Sequence, residues 1–342
     1  MRVRELDGLR GVAILFVLLA HSHFDWFPGG GIVGVHMFFV LSGFLITGIL
    51  LRRGLTWHFY KRRAVRLFPA LALVLATYLA LAPALGWELW EAAAVAGYVA
   101  NWADTYQLHY LWSLAVEEQF YVVWPLLLVG LARIGKRFAL AATITLLAGL
   151  HIERAYGYAT GWDWNRIYDG TDTVAVSLLA GCLLAQLRDL GWRVRPRRAA
   201  VVAFGLLVAG VLTLTQHTDE GQAFLAYGGL TGIALAGAIV IAAPPAFLRD
   251  RLLVRLGTIS YGLYLWHLLL INVGYELWRD VEPIAFALLA VPVAWASWRW
   301  LEEPLLRRHQ LTKNIAPSSE RRVGTSDEGL PVKQVPSLAT SR

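Results

Sequence analysis

Cysteine and charge are both scarce in this sequence. Its 342 residues include a single cysteine, Cys182, so no disulfide can form within the chain. Asp, Glu, Lys and Arg together make up 16% of the residues, whereas charged residues make up about 25% of a typical soluble domain. We find no internal repeat, no soluble catalytic domain and no signal-peptide cleavage pattern after the first apolar stretch. The low charged fraction argues against a soluble enzyme. Because no cleavage pattern follows the first apolar stretch, we expect this stretch to be retained as a helix.

Apolar residues are abundant and make up 57% of the chain, with a mean hydropathy of +0.51. They are grouped into stretches of the length that a transmembrane helix requires. The sequence therefore predicts an all-α fold, a polytopic transmembrane helical bundle of about ten membrane helices. Fifteen Trp and thirteen Tyr residues fit aromatic belts at the two membrane surfaces. The apolar stretches lie near residues 6–24, 33–51, 66–84, 112–131, 138–154, 172–188, 199–216, 223–243, 256–276 and 283–301.

Basic residues are concentrated in short loops between these stretches. The positive-inside rule places such loops in the cytoplasm, so we expect both termini to be cytoplasmic. We expect a multi-pass protein of the cell membrane, with the lipid bilayer as a partner. Because topology explains most of the net charge of +7, we expect no nucleic-acid partner. The basic segments are residues 2–10, 52–66, 133–137, 188–198 and 249–255.

Residues 85–111 interrupt the alternation of the predicted helices. An even number of crossings is required there, yet the segment is too short for two spanning helices. We interpret it as an interfacial or re-entrant helix at the outer face. The sequence divides into a transmembrane domain, residues 1–306, and a polar cytoplasmic tail, residues 307–342, whose composition is typical of disorder.

The first apolar stretch carries an ionisable residue at each end, Arg10 and His21. Eleven positions separate the two, which is close to three helical turns and about 16 Å of rise. They therefore share one face of a helix at opposite edges of the hydrocarbon. Ionisable side chains at such depths usually mark a functional site, although Arg10 alone is also explained as a topological anchor.

The densest cationic segment contains Arg62, Arg63 and Arg66. Arg62 and Arg66 lie four residues apart and would share one helix face at the cytoplasmic mouth of the third span. Guanidinium groups bind phosphate through paired hydrogen bonds, so a nucleotide or coenzyme is one predicted ligand. Anionic lipid headgroups are an equally good alternative.

Glu117 and Glu118 occur near the start of a membrane helix, in the stretch that also contains Trp112, Ser113 and Tyr121. Adjacent side chains point in different directions, so we expect Glu117 to face a cavity and Glu118 to be an interfacial carboxylate. Counting from the helix start puts Glu117 at a depth comparable to that of His21. A carboxylate beside a histidine suits general base catalysis.

The candidate contacts in a substrate cavity are six membrane positions: His36, Trp112, Ser113, Tyr121, Tyr261 and His267. Tyr264 shares a helix face with His267, and an ordinary polar contact within the bundle explains this pair equally well. A metal site of His21, His23 and His36 has no supporting ligand spacing. We therefore predict no metal and no permanently bound cofactor.

Six motifs in order resemble the acyltransferase-three family of integral-membrane O-acyltransferases. They are LDGLRGVAILFVLLAH, FFVLSGFLITGIL, FYKRRAVRLFPAL, LWSLAVEEQFYVVWPLLL, LGTISYGLYLWH and LEEPL, and they cover about residues 4–306. The resemblance implies a ten-helix domain that transfers an acyl group, commonly acetyl from acetyl-CoA, to a hydroxyl of a glycan or glycosylated molecule. It also implies that Arg10 and His21 form the family's R-x10-H element, that Arg62, Arg63 and Arg66 form its cytoplasmic arginine motif, and that Glu117 is its glutamate.

The chain departs from the family pattern at three positions. His36 stands where the family often has Asp, and Val174 and Val176 stand where Arg and Asp usually follow the Thr-rich segment. These replacements predict a more apolar cavity, an unusual acceptor or acyl chain, or reduced activity.

The resulting hypothesis is a membrane O-acyltransferase with acyl-CoA as co-substrate and a glycan or glycoside as acceptor. Arg62, Arg63 and Arg66 would bind the donor, His21 would act as general base, and Glu117 would orient His21 or the acceptor. The alternative is a non-catalytic transporter or a flippase-like partner of glycan assembly, which would use the same intramembrane polar residues.

Overall fold

The computed structural model describes residues 3–22, 26–193 and 196–308. Within those residues the regular structure is entirely helical, which confirms the all-α prediction. The helices are α1 Arg4–Ala20, α2 Gly30–Arg53, α3 Trp57–Leu85, α4 Trp90–Ala96, α5 Trp112–Ile134, α6 Lys136–Ala159, α7 Trp164–Asp169, α8 Thr171–Asp189, α9 Arg197–Thr213, α10 Asp219–Phe224, α11 Leu230–Ala242, α12 Arg251–Leu277 and α13 Pro283–Ser297.

Eight helical segments of the described chain are long and apolar enough to cross a membrane. They coincide with eight of the ten predicted stretches. The remaining two stretches correspond to α1 and α9, each of 17 residues. The chain is thus a multi-pass membrane protein, while the total of ten spans and the side of each terminus stay predictions.

The segment before α5 contains a short helix and a chain that enters the bundle. Helix α4 has seven residues, about 10 Å of rise, and is therefore too short to span. A single 3-10 turn, His109–Leu111, leads directly into α5. The Tyr110 hydroxyl donates to the Leu265 main-chain oxygen of α12 at 2.7 Å, and Tyr110 is buried. Helix α5 consequently begins inside the protein.

Helix α2 packs closely against α8. A Cβ atom at Gly43 would overlap the Leu178 main-chain oxygen, and one at Gly181 would overlap the Val40 oxygen. Only glycine permits the two backbones to approach this closely.

Several predicted basic loops meet at one end of the bundle, which we call the basic end. Lys136 pairs with Asp189 at 3.0 Å. Arg249 pairs with Glu5 at 2.6 Å, and the Arg188 guanidinium donates to the Ala242 main-chain oxygen at 2.5 Å. These contacts bring the N-terminus and the loops before α6, α9 and α12 to the same side.

The last helical segment runs to Arg308. Its Glu303 pairs with Arg299 and Arg307, as expected for a helix end next to arginines. From residue 309 onward the predicted tail lies outside the described residues.

Candidate active site

A cavity of about 640 Å³ opens at the basic end, between α1, α2, α3, α5 and α12. Its volume lies within the range of small-molecule sites, roughly 300 to 1,000 Å³. Exposed side chains of Arg53, His58 and Arg62 stand at its mouth. The polar and charged residues of its wall are Asp7, Arg10, Ser42, Arg53, Thr56, His58, Arg62, Arg63, Arg66, Ser113, Glu117, Tyr121, Ser260, Tyr261 and Tyr264.

Five arginines line this cavity: Arg10 from α1, Arg53 from the end of α2, and Arg62, Arg63 and Arg66 from α3. They differ in how they are held. Arg10 lies 3.6 Å from Asp7, one turn earlier on its own helix. Arg62 and Arg66 are exposed near the entrance, where a bound anion would reach them.

Arg63 is fixed by contacts with α5. Its guanidinium lies 3.0 Å from a carboxylate oxygen of Glu118 and 3.2 Å from the ring centroid of Tyr121. Ion pairing and stacking on one guanidinium hold its plane in a single orientation. Glu118, which we expected to be an interfacial carboxylate, instead forms a partly buried ion pair with α3.

Glu117 lies in the wall of the same cavity. Its carboxylate accepts hydrogen bonds from the Ser42 hydroxyl at 2.8 Å and from the Tyr121 hydroxyl at 3.1 Å. Ser42 and Glu117 lie 75 positions apart in the chain, so no local sequence pattern indicates their contact.

The structure places Glu117 at a different depth from His21. The difference in depth can be read along helix α2, which contacts both residues. A Cβ on Gly31 would lie 3.7 Å from His21 Cε1, and Ser42 hydrogen-bonds to Glu117. Gly31 and Ser42 are eleven residues apart, about 16 Å along the helix axis. The expected equal depth is therefore wrong. The expected depth of Glu117 assumed that its helix starts at the membrane surface, but α5 starts within the bundle.

Ser113 and Tyr264 close the inner end of the cavity. Their hydroxyl oxygens lie 2.7 Å apart, and the Tyr264 hydroxyl donates to the Tyr110 main-chain oxygen. Tyr261, one turn nearer the basic end on α12, donates to the Leu67 main-chain oxygen at 3.0 Å. These bonds join α5 and α12, and α12 and α3, around the cavity.

His21 and His267 form a pair beyond this inner end. Their ring centroids are 5.2 Å apart with an interplanar angle of 60°. The His267 ring also lies 5.6 Å from the ring of Tyr264, which faces the cavity. The cavity and the histidine pair are thus neighbours on α12, although neither histidine is among the described residues that line the cavity.

His36 and Trp112 lie behind the cavity wall. His36 is fully buried, with Nδ1 2.7 Å from the Ser177 hydroxyl of α8. Trp112 packs against Phe39 and Tyr168 at centroid distances of 6.0 and 5.2 Å. The structure therefore does not bring these two predicted cavity residues to the cavity surface.

The valines at the family's polar positions are core residues, and a buried arginine lies next to them. Val174 and Val176 are 0% and 1% exposed. Arg154 of α6, also fully buried, donates to the Thr173 main-chain oxygen at 3.1 Å and to the Ala226 oxygen at 3.0 Å. Neither valine lines the cavity, so their effect is on the core between α6 and α8 rather than on the cavity surface.

Candidate metal ligands do not cluster in the described part of the chain. No group of three His, Cys, Asp or Glu side chains in the described residues is arranged to hold a metal ion. His23, a member of the disfavoured histidine set, lies outside the described residues.

Comparison with known proteins gives a family match and curated relatives. Residues 3–299 match the family model described as an acyltransferase domain. The peptidoglycan O-acetyltransferase OatA of Listeria monocytogenes is 33% identical over 89% of this chain and 56% of its own length. The O-acetyltransferase OatA of Staphylococcus aureus is 31% identical over 89% of this chain and 57% of its own length. The chain thus spans little more than half the length of these relatives. No solved structure matches it significantly.

Proposed function

Because the chain belongs to the acyltransferase-three family, we propose that it is a membrane O-acetyltransferase that uses acetyl-CoA as donor and a cell-surface glycan as acceptor. The names of two relatives specify O-acetyl transfer, and one of them specifies peptidoglycan. A glycan of the peptidoglycan type is therefore the acceptor that we would test.

The observation that carries the proposal is the cavity at the basic end, which five arginines line. Coenzyme A carries several phosphates, which need cations that can donate hydrogen bonds in pairs. Arg62 and Arg66 would bind these phosphates near the mouth, and Arg63 and Arg10 lie further in. The positive-inside rule puts this end in the cytoplasm, where acyl-CoA is made.

The narrow arm of the coenzyme would extend inward past Glu117. This arm contains amide N–H groups, which a carboxylate oxygen accepts readily. Ser42 and Tyr121 fix the two oxygens of Glu117 at 2.8 and 3.1 Å. Glu117 would therefore position the donor. It would not orient His21, because the residues of α2 that contact His21 and Glu117 are about 16 Å apart along that helix.

His21 would act as the general base. It would take the proton from the acceptor hydroxyl while the hydroxyl oxygen attacks the thioester carbonyl carbon. The carbon–sulfur bond then breaks, and the leaving thiolate receives the proton. Arg10 lies in the first half of α1 and His21 is the C-cap of this helix, so one helix would connect the donor site with the acyl-transfer point.

The first test is binding of acetyl-CoA to the purified protein in detergent, with free CoA as competitor. We expect wild type to bind and Arg62→Ala/Arg66→Ala to lose binding. Arg133→Ala/Arg137→Ala is the matched control, because it removes two exposed basic-end arginines outside the cavity wall. Equal binding by all three proteins would overturn the donor site.

Failure of wild type to bind would favour the transporter hypothesis, since a transporter has no need of CoA. Anionic lipid vesicles provide the test of the lipid-headgroup hypothesis. This hypothesis is favoured if the vesicles displace the coenzyme from wild type and if Arg62→Ala/Arg66→Ala no longer binds the vesicles. The base is tested separately. His21→Ala should keep acetyl-CoA binding but lose transfer to a soluble peptidoglycan fragment, and retained transfer would exclude this role.

A further inference from the structure

The two histidines beyond the cavity are held in the same way. His21 Nδ1 lies 2.8 Å from the Val17 main-chain oxygen, and His267 Nδ1 lies 2.7 Å from the Tyr264 main-chain oxygen. A carbonyl oxygen only accepts hydrogen bonds, so each Nδ1 carries a proton. Each neutral ring therefore has its lone pair on Nε2.

The Nε2 atom of His267 has no hydrogen-bond partner among the described residues, and the side chain is fully buried. A buried acceptor without a donor is unfavourable and is uncommon in native structures. One explanation for such an atom is a donor that is present only during part of the protein's cycle. The ring next to it, 5.2 Å away between centroids, is His21.

His21 becomes a donor when it acts as a base. Taking the acceptor's proton on Nε2 converts it to an imidazolium, which has donors on both nitrogens. The imidazolium forms beside the fully buried ring of His267, where an unpaired charge is costly. A neutral neighbour with a lone pair would stabilise it.

We propose that His267 is a positioning residue for the acyl transfer: its Nε2 accepts a hydrogen bond from the His21 imidazolium. The two rings hold the proton removed from the acceptor hydroxyl until it passes to the leaving thiolate. This role rests on the proposed function, because it requires His21 to be the base.

Two substitutions separate this role from a structural one. His267→Asn keeps an amide N–H near the position of Nδ1, where it can donate to the Tyr264 oxygen, but removes Nε2. His267→Gln places a side-chain carbonyl oxygen near the position of Nε2. His217→Asn is the control, since His217 is an exposed histidine of the loop before α10.

The experiment measures kcat and KM from release of the CoA thiol, with acetyl-CoA and a soluble N-acetylglucosamine oligosaccharide as substrates. We expect His267→Asn to lower kcat about tenfold or more, the effect of losing one hydrogen bond to a charged group. The KM for acetyl-CoA should stay within about twofold, because the donor cavity is intact. His267→Gln should recover most of kcat, and His217→Asn should match wild type.

Each outcome has one meaning. An unchanged kcat in His267→Asn, or an equal loss in the Asn and Gln variants at unchanged thermal stability, would overturn the positioning role. If His267→Asn does not purify as a single species, His267→Gln alone decides, and a loss of more than tenfold in a stable protein contradicts the proposal. A wild type that binds acetyl-CoA but releases no thiol would refute the proposed function, and this inference with it.

Discussion

Removal of the Ser42 hydroxyl is the most direct test of the donor cavity. Ser42 donates to Glu117 at 2.8 Å, while Tyr121 donates to the other carboxylate oxygen at 3.1 Å. In Ser42→Ala one of these two bonds is lost and the backbone of α2 is unchanged. The carboxylate would then be free to rotate about the remaining bond.

The expected magnitude follows from the strength of such a bond. A hydrogen bond to a charged group contributes about 1.5 to 3 kcal/mol, which corresponds to about 10- to 150-fold in rate or affinity. Because Glu117 is proposed to position the donor, the loss should occur in kcat/KM for acetyl-CoA. Tyr121→Phe should produce a loss of similar size through the second oxygen.

The assay is thiol release by the purified protein over a range of acetyl-CoA concentrations. Thr77→Ala is a suitable control, since its exposed hydroxyl donates only to the Leu73 main-chain oxygen of its own helix α3 at 2.9 Å. Wild-type kcat/KM in Ser42→Ala, with the protein folded, would refute the idea that the Ser42–Glu117 bond positions the donor.

Three other substitutions test the packing and electrostatics of the bundle. Arg154→Ala should lower the free energy of unfolding by about 3 kcal/mol, because it leaves buried carbonyl oxygens such as that of Ala226 without donors. Thermal unfolding in detergent measures this loss, and an unchanged unfolding midpoint would contradict the prediction. Gly43→Ala should destabilise by about 1 to 3 kcal/mol through overlap with α8, whereas Gly130→Ala, where a Cβ meets nothing within 4 Å, should be neutral or stabilising. Arg63→Lys should weaken acetyl-CoA binding at least tenfold, because lysine cannot reproduce the stacked, paired geometry, and wild-type affinity would count against a role for Arg63 in the donor site.

The sequence was sufficient for the helices and for much of their arrangement. Runs of about 20 apolar residues have few structural alternatives, and the short helix α4 followed from the requirement for an even number of crossings. The basic loops correctly indicated which helix ends meet, as the Lys136–Asp189 and Arg249–Glu5 pairs show. These are local properties of composition and length.

The depth of the polar residues could not be obtained in this way. Glu117 was counted from the start of an apolar stretch, but α5 starts inside the bundle, since Tyr110 is already buried against α12. One partner of Glu117, Ser42, and the histidine that pairs with His267, His21, come from other helices. Contacts such as Ser42–Glu117 depend on how helices pack, and a single sequence carries no direct record of that packing.

The buried Arg154 shows the same difficulty. At sequence level the loss of polar residues at Val174 and Val176 suggested an apolar region. In the fold a cation from α6 bonds to the main chain one residue before Val174. A charge that is missing from one helix can therefore be present in the same region of the bundle from another.

The position of Tyr264 connects the donor cavity with the histidine pair. Its hydroxyl is held by Ser113 and by the Tyr110 main-chain oxygen at the inner end of the cavity, and its ring lies 5.6 Å from that of His267. A thioester bound in the cavity would lie on one side of this tyrosine, and an acceptor hydroxyl near His21 on the other. A side chain fixed between them would keep water from the outer face away from the thioester until an acceptor is bound. Helix α1 carries Arg10 on the donor side and His21 on the acceptor side, so a single helix borders both sites.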